Sequence, residues 1–234
     1  QRLKNLNYFE DDIRITPEPT ENPEEADVVI DVTEKATGEF NFGVGFSSVD
    51  ALIGNISLIQ RNFDYRDFPK SWRDLLSGNA FSGAGQRFSI EATGGTKRQR
   101  YQVSFFEPWA FDRPIRVGTS VFRTVDRNFR DFDQTSTGFS LSAGRRLWGP
   151  RWDGDVTYRF SYTEIGDTAA DLPPIFQKQE GDRFMSSVTP RLLYDSRDSN
   201  LLPSRGWLVE AAVEVGGGPF LGNLDWVRPS LDAS

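Results

Sequence analysis

From Gly38 onward the chain alternates between apolar and polar side chains, and this constrains the fold more than any other feature of the sequence. In Glu39-Phe40-Asn41-Phe42-Gly43-Val44-Gly45-Phe46 the even positions are Phe, Phe, Val and Phe, and the odd ones Glu, Asn, Gly and Gly. That is the period of a strand with one greasy and one wet face. Further segments of the same kind are expected near residues 51–63, 85–95, 99–108, 114–126, 134–146, 152–164, 182–195 and 205–216, with a tenth beginning near 222. In Arg87-Phe88-Ser89-Ile90-Glu91-Ala92 and Gly138-Phe139-Ser140-Leu141-Ser142-Ala143-Gly144 one face carries Phe, Ile, Leu and Ala, and the other Arg, Ser, Glu and Gly. No run approaches the roughly 18–20 apolar residues of a membrane-spanning helix, so any passage through a bilayer has to be made by a closed β-barrel.

Composition fits such a sheet. Hydrophobic residues are only 37%, yet aromatics reach 13%, with 19 Phe, 6 Trp and 6 Tyr, and mean hydropathy is −0.50. A secreted antiparallel β-sandwich remains the alternative at this level. A net charge of −7 argues against nucleic acid as a partner, which requires Lys and Arg concentrated on one face. With no Cys and no His, the chain lacks thiol chemistry and the commonest general base and metal ligand. Gln1 opens without Met or a signal peptide, and Ser234 follows no closing strand, so both ends read as cut.

The first residues follow a different pattern. Arg2-Leu3-Lys4-Asn5-Leu6 is helix-like, Ile13-Arg14-Ile15 is a short strand, and Pro17 to Glu25, with three prolines and four glutamates, is a loop. Ala26 to Glu34 then reads as a β-branched strand. The expected division is residues 1–36 as the end of a small α+β module and 37–234 as about nine long strands and the start of a tenth. Between the long strands, the turns at Glu107 to Pro114, Leu147 to Trp152 and Asp195 to Arg205 are punctuated by Pro, Gly and Asp beside bulky apolar residues and are assigned to one rim. Trp109, Trp148, Trp152 and Trp207 lie at or beside them, where an interfacial aromatic girdle belongs; capping of a sandwich edge is the alternative. Residues 64–84 interrupt the pattern with a charged, partly apolar stretch that suits a short rim helix.

Catalytic constellations are not visible. There is no Ser-His-Asp or Cys-His set, Gly43-Val44-Gly45 lies inside a strand, and Gly216-Gly217-Gly218 lacks the Lys and Ser/Thr of a phosphate loop. The expectation is a non-enzyme without metal or cofactor. Asp195 and Asp198 beside Arg197 and Arg205 read as a salt-bridged turn rather than an acid/base pair.

Arg2 to Glu10 resembles the helix-to-strand passage of a POTRA domain, and Asp27 to Glu34 its last strand. Glu34 to Phe46 then resembles the junction at which the final POTRA domain of BamA-type outer-membrane assembly factors enters the first barrel strand. Gln60-Arg61-Asn62-Phe63, Phe106-Glu107-Pro108-Trp109, Asp195-Ser196-Arg197-Asp198 and Leu202-Pro203-Ser204-Arg205-Gly206 extend the likeness along the chain; the 64–84 stretch departs from it. The resemblance implies a mainly β fold: a partial antiparallel transmembrane β-barrel in the bacterial outer membrane, preceded by the end of a periplasmic POTRA domain. It also implies a factor that folds and inserts barrel proteins through a lateral gate at Glu39, Phe40, Asn41, Phe42, Gly43, Val44, Gly45 and Phe46. Its implied partners are unfolded outer-membrane proteins, outer-membrane lipid and accessory lipoproteins of an assembly complex. The alternative is a polypeptide translocation pore, of the TamA-like or two-partner secretion kind, which shares this layout.

Overall fold

The structure, a computed structural model, describes residues 12–19, 26–33, 35, 37–47, 51–77, 80–127, 133–166, 181–198, 203–218, 222 and 225–234. The helix-like stretch at 2–6, Tyr8-Phe9, most of the Pro/Glu-rich loop, Leu202 and the joins at 48–50, 128–132 and 167–180 lie outside the described residues. The chain divides into two units, residues 1–39 with 60–85, and residues 40–59 with 86–234.

In the first unit, β1 (Arg14–Pro19) and β2 (Ala26–Asp31) pair antiparallel, with Arg14 opposite Asp31 and Pro19 opposite Ala26. The sequence assigned Pro17 and Pro19 to a loop, yet β1 runs through both. Being two residues apart, they take the same place in the ladder's alternation, so both absent N–H groups turn away from β2. β2 ends at Asp31, short of the expected Glu34.

The same unit contains the 64–84 excursion. It is closed at its neck by hydrogen bonds from Asp64 N–H to the Phe81 carbonyl (2.8 Å) and from Gly83 N–H to the Asn62 carbonyl (2.9 Å). The buried Asn62 side chain also accepts from Gly85 N–H at 2.7 Å. Phe81 stacks on Phe63 and meets Phe68 edge-on, each at 5.7 Å. The expected short helix is α1 (Trp72–Ser77). The Ser71 hydroxyl caps it by accepting from Asp74 N–H, and the Asp74 carboxylate returns to Lys70 N–H, each at 3.1 Å.

Ten strands form one sheet in which each pairs with its neighbour in sequence. They are β3 (Gly38–Ser47), β4 (Ala51–Phe63), β5 (Gln86–Gly95), β6 (Arg98–Glu107), β7 (Ile115–Arg127), β8 (Asp133–Arg146), β9 (Trp152–Gly166), β10 (Gly181–Asp195), β11 (Leu208–Gly216) and β12 (Trp226–Ala233). Each expected long strand is present, and the tenth is a full element of 8 residues. Pairing between β10 and β11 lapses at Thr189 and Pro190, where proline supplies no N–H.

Register carries the period-two pattern from β5 to β12. One transverse row reads Phe88, Phe105, Thr119, Leu141, Tyr158, Val188, Val215 and Val227. The adjacent row, one residue along each strand, reads Ser89, Ser104, Ser120, Ser140, Arg159, Ser187, Gly216 and Trp226.

Candidate functional site

Burial in the second unit is inverted relative to a water-soluble domain. Among its described residues the buried apolar side chains are Ala110 and Phe122, whereas Gln86, Ser89, Ser161, Thr163, Ser186 and Ser187 are buried polar ones. Val103, Val121, Leu141, Val156, Phe184, Val213 and Val227 are exposed. The apolar face also holds an aromatic chain in which Phe139 meets Tyr158 and Phe160 at 6.0 and 5.7 Å, and Tyr162 meets Phe184 at 5.0 Å. Exposing apolar surface on this scale is unfavourable in water and favourable in hydrocarbon.

The polar face lines a cavity of about 740 Å³ and carries a ladder of ion pairs. Arg116 on β7 reaches over Gly144 of β8 to Asp153 on β9, donating from Nη1 to Oδ2 at 2.6 Å. Arg191 on β10 bridges Asp155 on β9 (2.6 Å) and Glu210 on β11 (3.1 Å). Arg228 on β12 meets Glu214 on β11 at 3.5 Å. Sequence reasoning singled out none of these groups. Their parity on each strand put them on the wet face, but which strands meet was not readable.

β3 stands at one end of the sheet order. Arg61 N–H donates to the Thr37 carbonyl at 3.4 Å, Asn41 donates to the Ser57 hydroxyl at 3.3 Å, and Asn55 lies against Gly43. Together these fix Thr37 opposite Arg61, Asn41 opposite Ser57 and Gly43 opposite Asn55. Opposed antiparallel residues alternate between hydrogen-bonded and non-hydrogen-bonded pairs. Since Thr37 and Arg61 form a bonded pair, the odd residues of β3 turn their N–H and C=O toward β4. Phe40, Phe42, Val44 and Phe46 turn theirs to the outer edge. Their side chains lie on the apolar face and are 60% to 88% exposed. Glu39, at the start of the strand, pairs with Arg61.

Trp109, Trp148 and Trp207 sit in the β6–β7, β8–β9 and β10–β11 connections and are exposed. Strand alternation puts these three connections at one end of the sheet, as the turn chemistry indicated. Trp152 opens β9 and is partly covered, between Trp148 at 5.8 Å and Tyr194 at 4.8 Å. Phe111, 86% exposed with φ +60° in the β6–β7 turn, belongs with these aromatics; the sequence reading passed over it.

The β10–β11 turn is held by its own polar groups. The Asp195 carboxylate accepts from Arg197 Nε (3.0 Å) and Nη2 (2.9 Å), and Ser196 N–H donates to the Trp207 carbonyl at 2.9 Å. Asp198 accepts from the Ser204 hydroxyl and from the Ser204 and Arg205 N–H groups, at 2.9 and 3.2 Å for the latter two. The first of these bonds is the largest cause holding the Asp198 carboxyl down at about 2, from an ordinary 3.8. A depressed folded-state pKa contributes stability above the ordinary value and loses it as pH falls through the folded one. Titrating the protein in detergent micelles should therefore leave Trp207 fluorescence unchanged through pH 3.8 and alter it near 2. A transition centred near 3.8 would show that the Asp198 hydrogen bonds to Ser204 and Arg205 do not form.

Residues 80–234 match the Omp85 superfamily domain. The chain belongs to the Omp85 superfamily. It is 27% identical over 99% of its length to the outer membrane protein assembly factor BamA of Nitratidesulfovibrio vulgaris, covering 27% of that protein. It is 23% identical over 83% of its length to the sorting and assembly machinery component 50 homolog of Xenopus tropicalis, covering 37% of it. Among solved structures, BamA from Haemophilus ducreyi lacking POTRA domains 1–3 aligns with a TM-score of 0.65 at 15% identity, over 94% of this chain and 41% of that one. CdiB from Acinetobacter baumannii aligns with a TM-score of 0.54 at 14% identity, over 99% of this chain and 41% of that one. The Omp85 chain thus spans roughly a third of the length of these relatives and has the sheet of a BamA-type barrel.

Proposed function

We propose that this Omp85 chain forms a wall of a bacterial outer-membrane barrel that folds and inserts other β-barrel proteins, with β3 as the lateral gate. Residues 1–36 are, in this reading, the end of a periplasmic POTRA domain that hands over unfolded outer-membrane proteins, alone or with accessory lipoproteins. The observation that carries the proposal is the edge strand β3. Its outward N–H and C=O groups belong to residues whose side chains face the apolar side, so a strand arriving there pairs its backbone and buries its side chains in lipid together. Edge pairing of this kind is β-augmentation, and hydrocarbon makes it strongly favourable because backbone polar groups find no water there. The residues present suit binding and templating; no catalytic step is assigned to them.

The test is the rate at which an unfolded barrel client becomes protease-protected and heat-modifiable in liposomes containing the protein. Acceleration over empty liposomes is expected. The cavity on the polar face favours one further reading, a polypeptide translocation pore; large-pore conductance with export of an unfolded client, and no acceleration of folding, would establish it instead.

A further inference from the structure

Two glycines on the polar face are covered, in this sheet, by an aromatic side chain from the residue directly opposite. The Phe122 ring lies over Gly138, with Cζ 2.8 Å from where a glycine Cβ would stand, and Gly138 is its register partner. The Trp226 indole covers its own partner, Gly216, in the same way. Arg159 in turn sits over the Phe122 ring at 4.4 Å, so the covering ring is itself packed from above. A planar side chain laid across a strand glycine recovers buried area that glycine cannot supply and pins the register.

On β3, Gly43 is already covered by Asn55, whereas among the described residues a Cβ at Gly45 would meet only Ile53 Cγ2, at an ordinary 3.7 Å. Gly45 is therefore a shallow notch on the polar face of the edge strand. The hydrogen-bond parity sharpens this. Val44 and Phe46 are the residues that bond outward, which makes Gly45 a non-hydrogen-bonded position toward any strand seated on the edge. Opposed Cα atoms approach to about 4.5 Å at such positions, closer than at bonded ones, and side chains there make their tightest cross-strand contact.

We propose that Gly45 is a specificity-determining position of the gate, a receptor for one aromatic side chain (Phe, Tyr or Trp) that the client strand carries directly opposite on its polar face. The client strand then presents two aromatic determinants on different faces: apolar-face residues that pack beside Phe42, Val44 and Phe46, and a single polar-face ring over Gly45. The ring also sets register, because a slip of two residues would place it against Gly43, where Asn55 already lies. The proposal rests on β3 being the pairing strand.

The experiment uses the protein in liposomes and an unfolded barrel client. Cysteines scanned along the client against Val44→Cys first locate the client residue opposite Gly45. Gly45→Val should slow folding of the aromatic client about tenfold, the loss expected of one aromatic contact with its packing, and Gly45→Ala by less. A client with that aromatic replaced by Ala should fold more slowly on the unaltered protein and be indifferent to Gly45→Val. Heat-modifiability of each variant confirms that its own barrel is formed, and Gly45→Ala supplies the readout should Gly45→Val not fold. Equal slowing of both clients, or none, would overturn the notch. Failure of Val44→Cys to cross-link to any client position would overturn the gate reading itself.

Discussion

Val44→Pro is expected to abolish client assembly while leaving the barrel folded. Proline removes one N–H, and what that does depends on which way the N–H points. At Val44 it points outward, so the β3–β4 ladder keeps its bonds and the missing donor is one that an incoming strand would have used. Within hydrocarbon an acceptor left without that donor costs several kcal/mol, enough to reduce templated folding by a factor of about a hundred or more. Gly43→Pro provides the contrast. Its N–H points toward Asn55 on β4, so its loss weakens the sheet itself and should lower the temperature at which the barrel unfolds on a heat-modifiability gel. Pairing of Val44→Pro protein with client at an undiminished rate would remove β3 from the mechanism.

The contrast between adjacent prolines depends on information the sequence holds only in part. Alternation at Phe40, Phe42, Val44 and Phe46 made the apolar face legible, since a period of two with aromatics at every second position has few other physical uses. It said nothing of which residues turn their backbone to β4. That depends on a single register fixed by Thr37 and Arg61, and both parities give the same side-chain pattern. The same limit explains the ion ladder. Arg116 and Asp153 lie far apart in sequence and two strands apart in space, and they meet because Gly144 between them has no side chain. Turn chemistry was more readable, since Trp109, Trp148 and Trp207 stand beside Pro, Gly and Asp that end strands locally. Trp152 departs from that group because Tyr194, from another strand, covers it. β1 continues through Pro17 and Pro19 for a related reason: proline ends a strand only where its absent N–H was needed, and a two-stranded ribbon has one side where it is not.

Whether the apolar face meets lipid or water is decided by two neighbouring residues that point to opposite faces. Val156 is 48% exposed on the apolar face, and Thr157 lines the cavity on the other. In a water-soluble sheet a half-exposed valine tolerates lysine with a change of about 0.5 kcal/mol or less. In a bilayer the same substitution is costly. Val156 lies four residues along β9 from Trp152, which at about 3.3 Å per residue and a strand tilt near 40° sets it roughly 10 Å inside the aromatic rim, toward the middle of an apolar band about 25 Å tall. Lysine at that depth costs roughly 2–4 kcal/mol. Val156→Lys is therefore expected to lower barrel stability in liposomes by that amount, read from urea unfolding of the inserted protein, while Thr157→Lys, which keeps its charge among Asp155 and water, changes it little. Equal tolerance of both lysines would mean that the apolar face is not in hydrocarbon. Intolerance at Val156 alone is the outcome expected of an apolar face set in hydrocarbon, since Thr157 next to it faces the wet side.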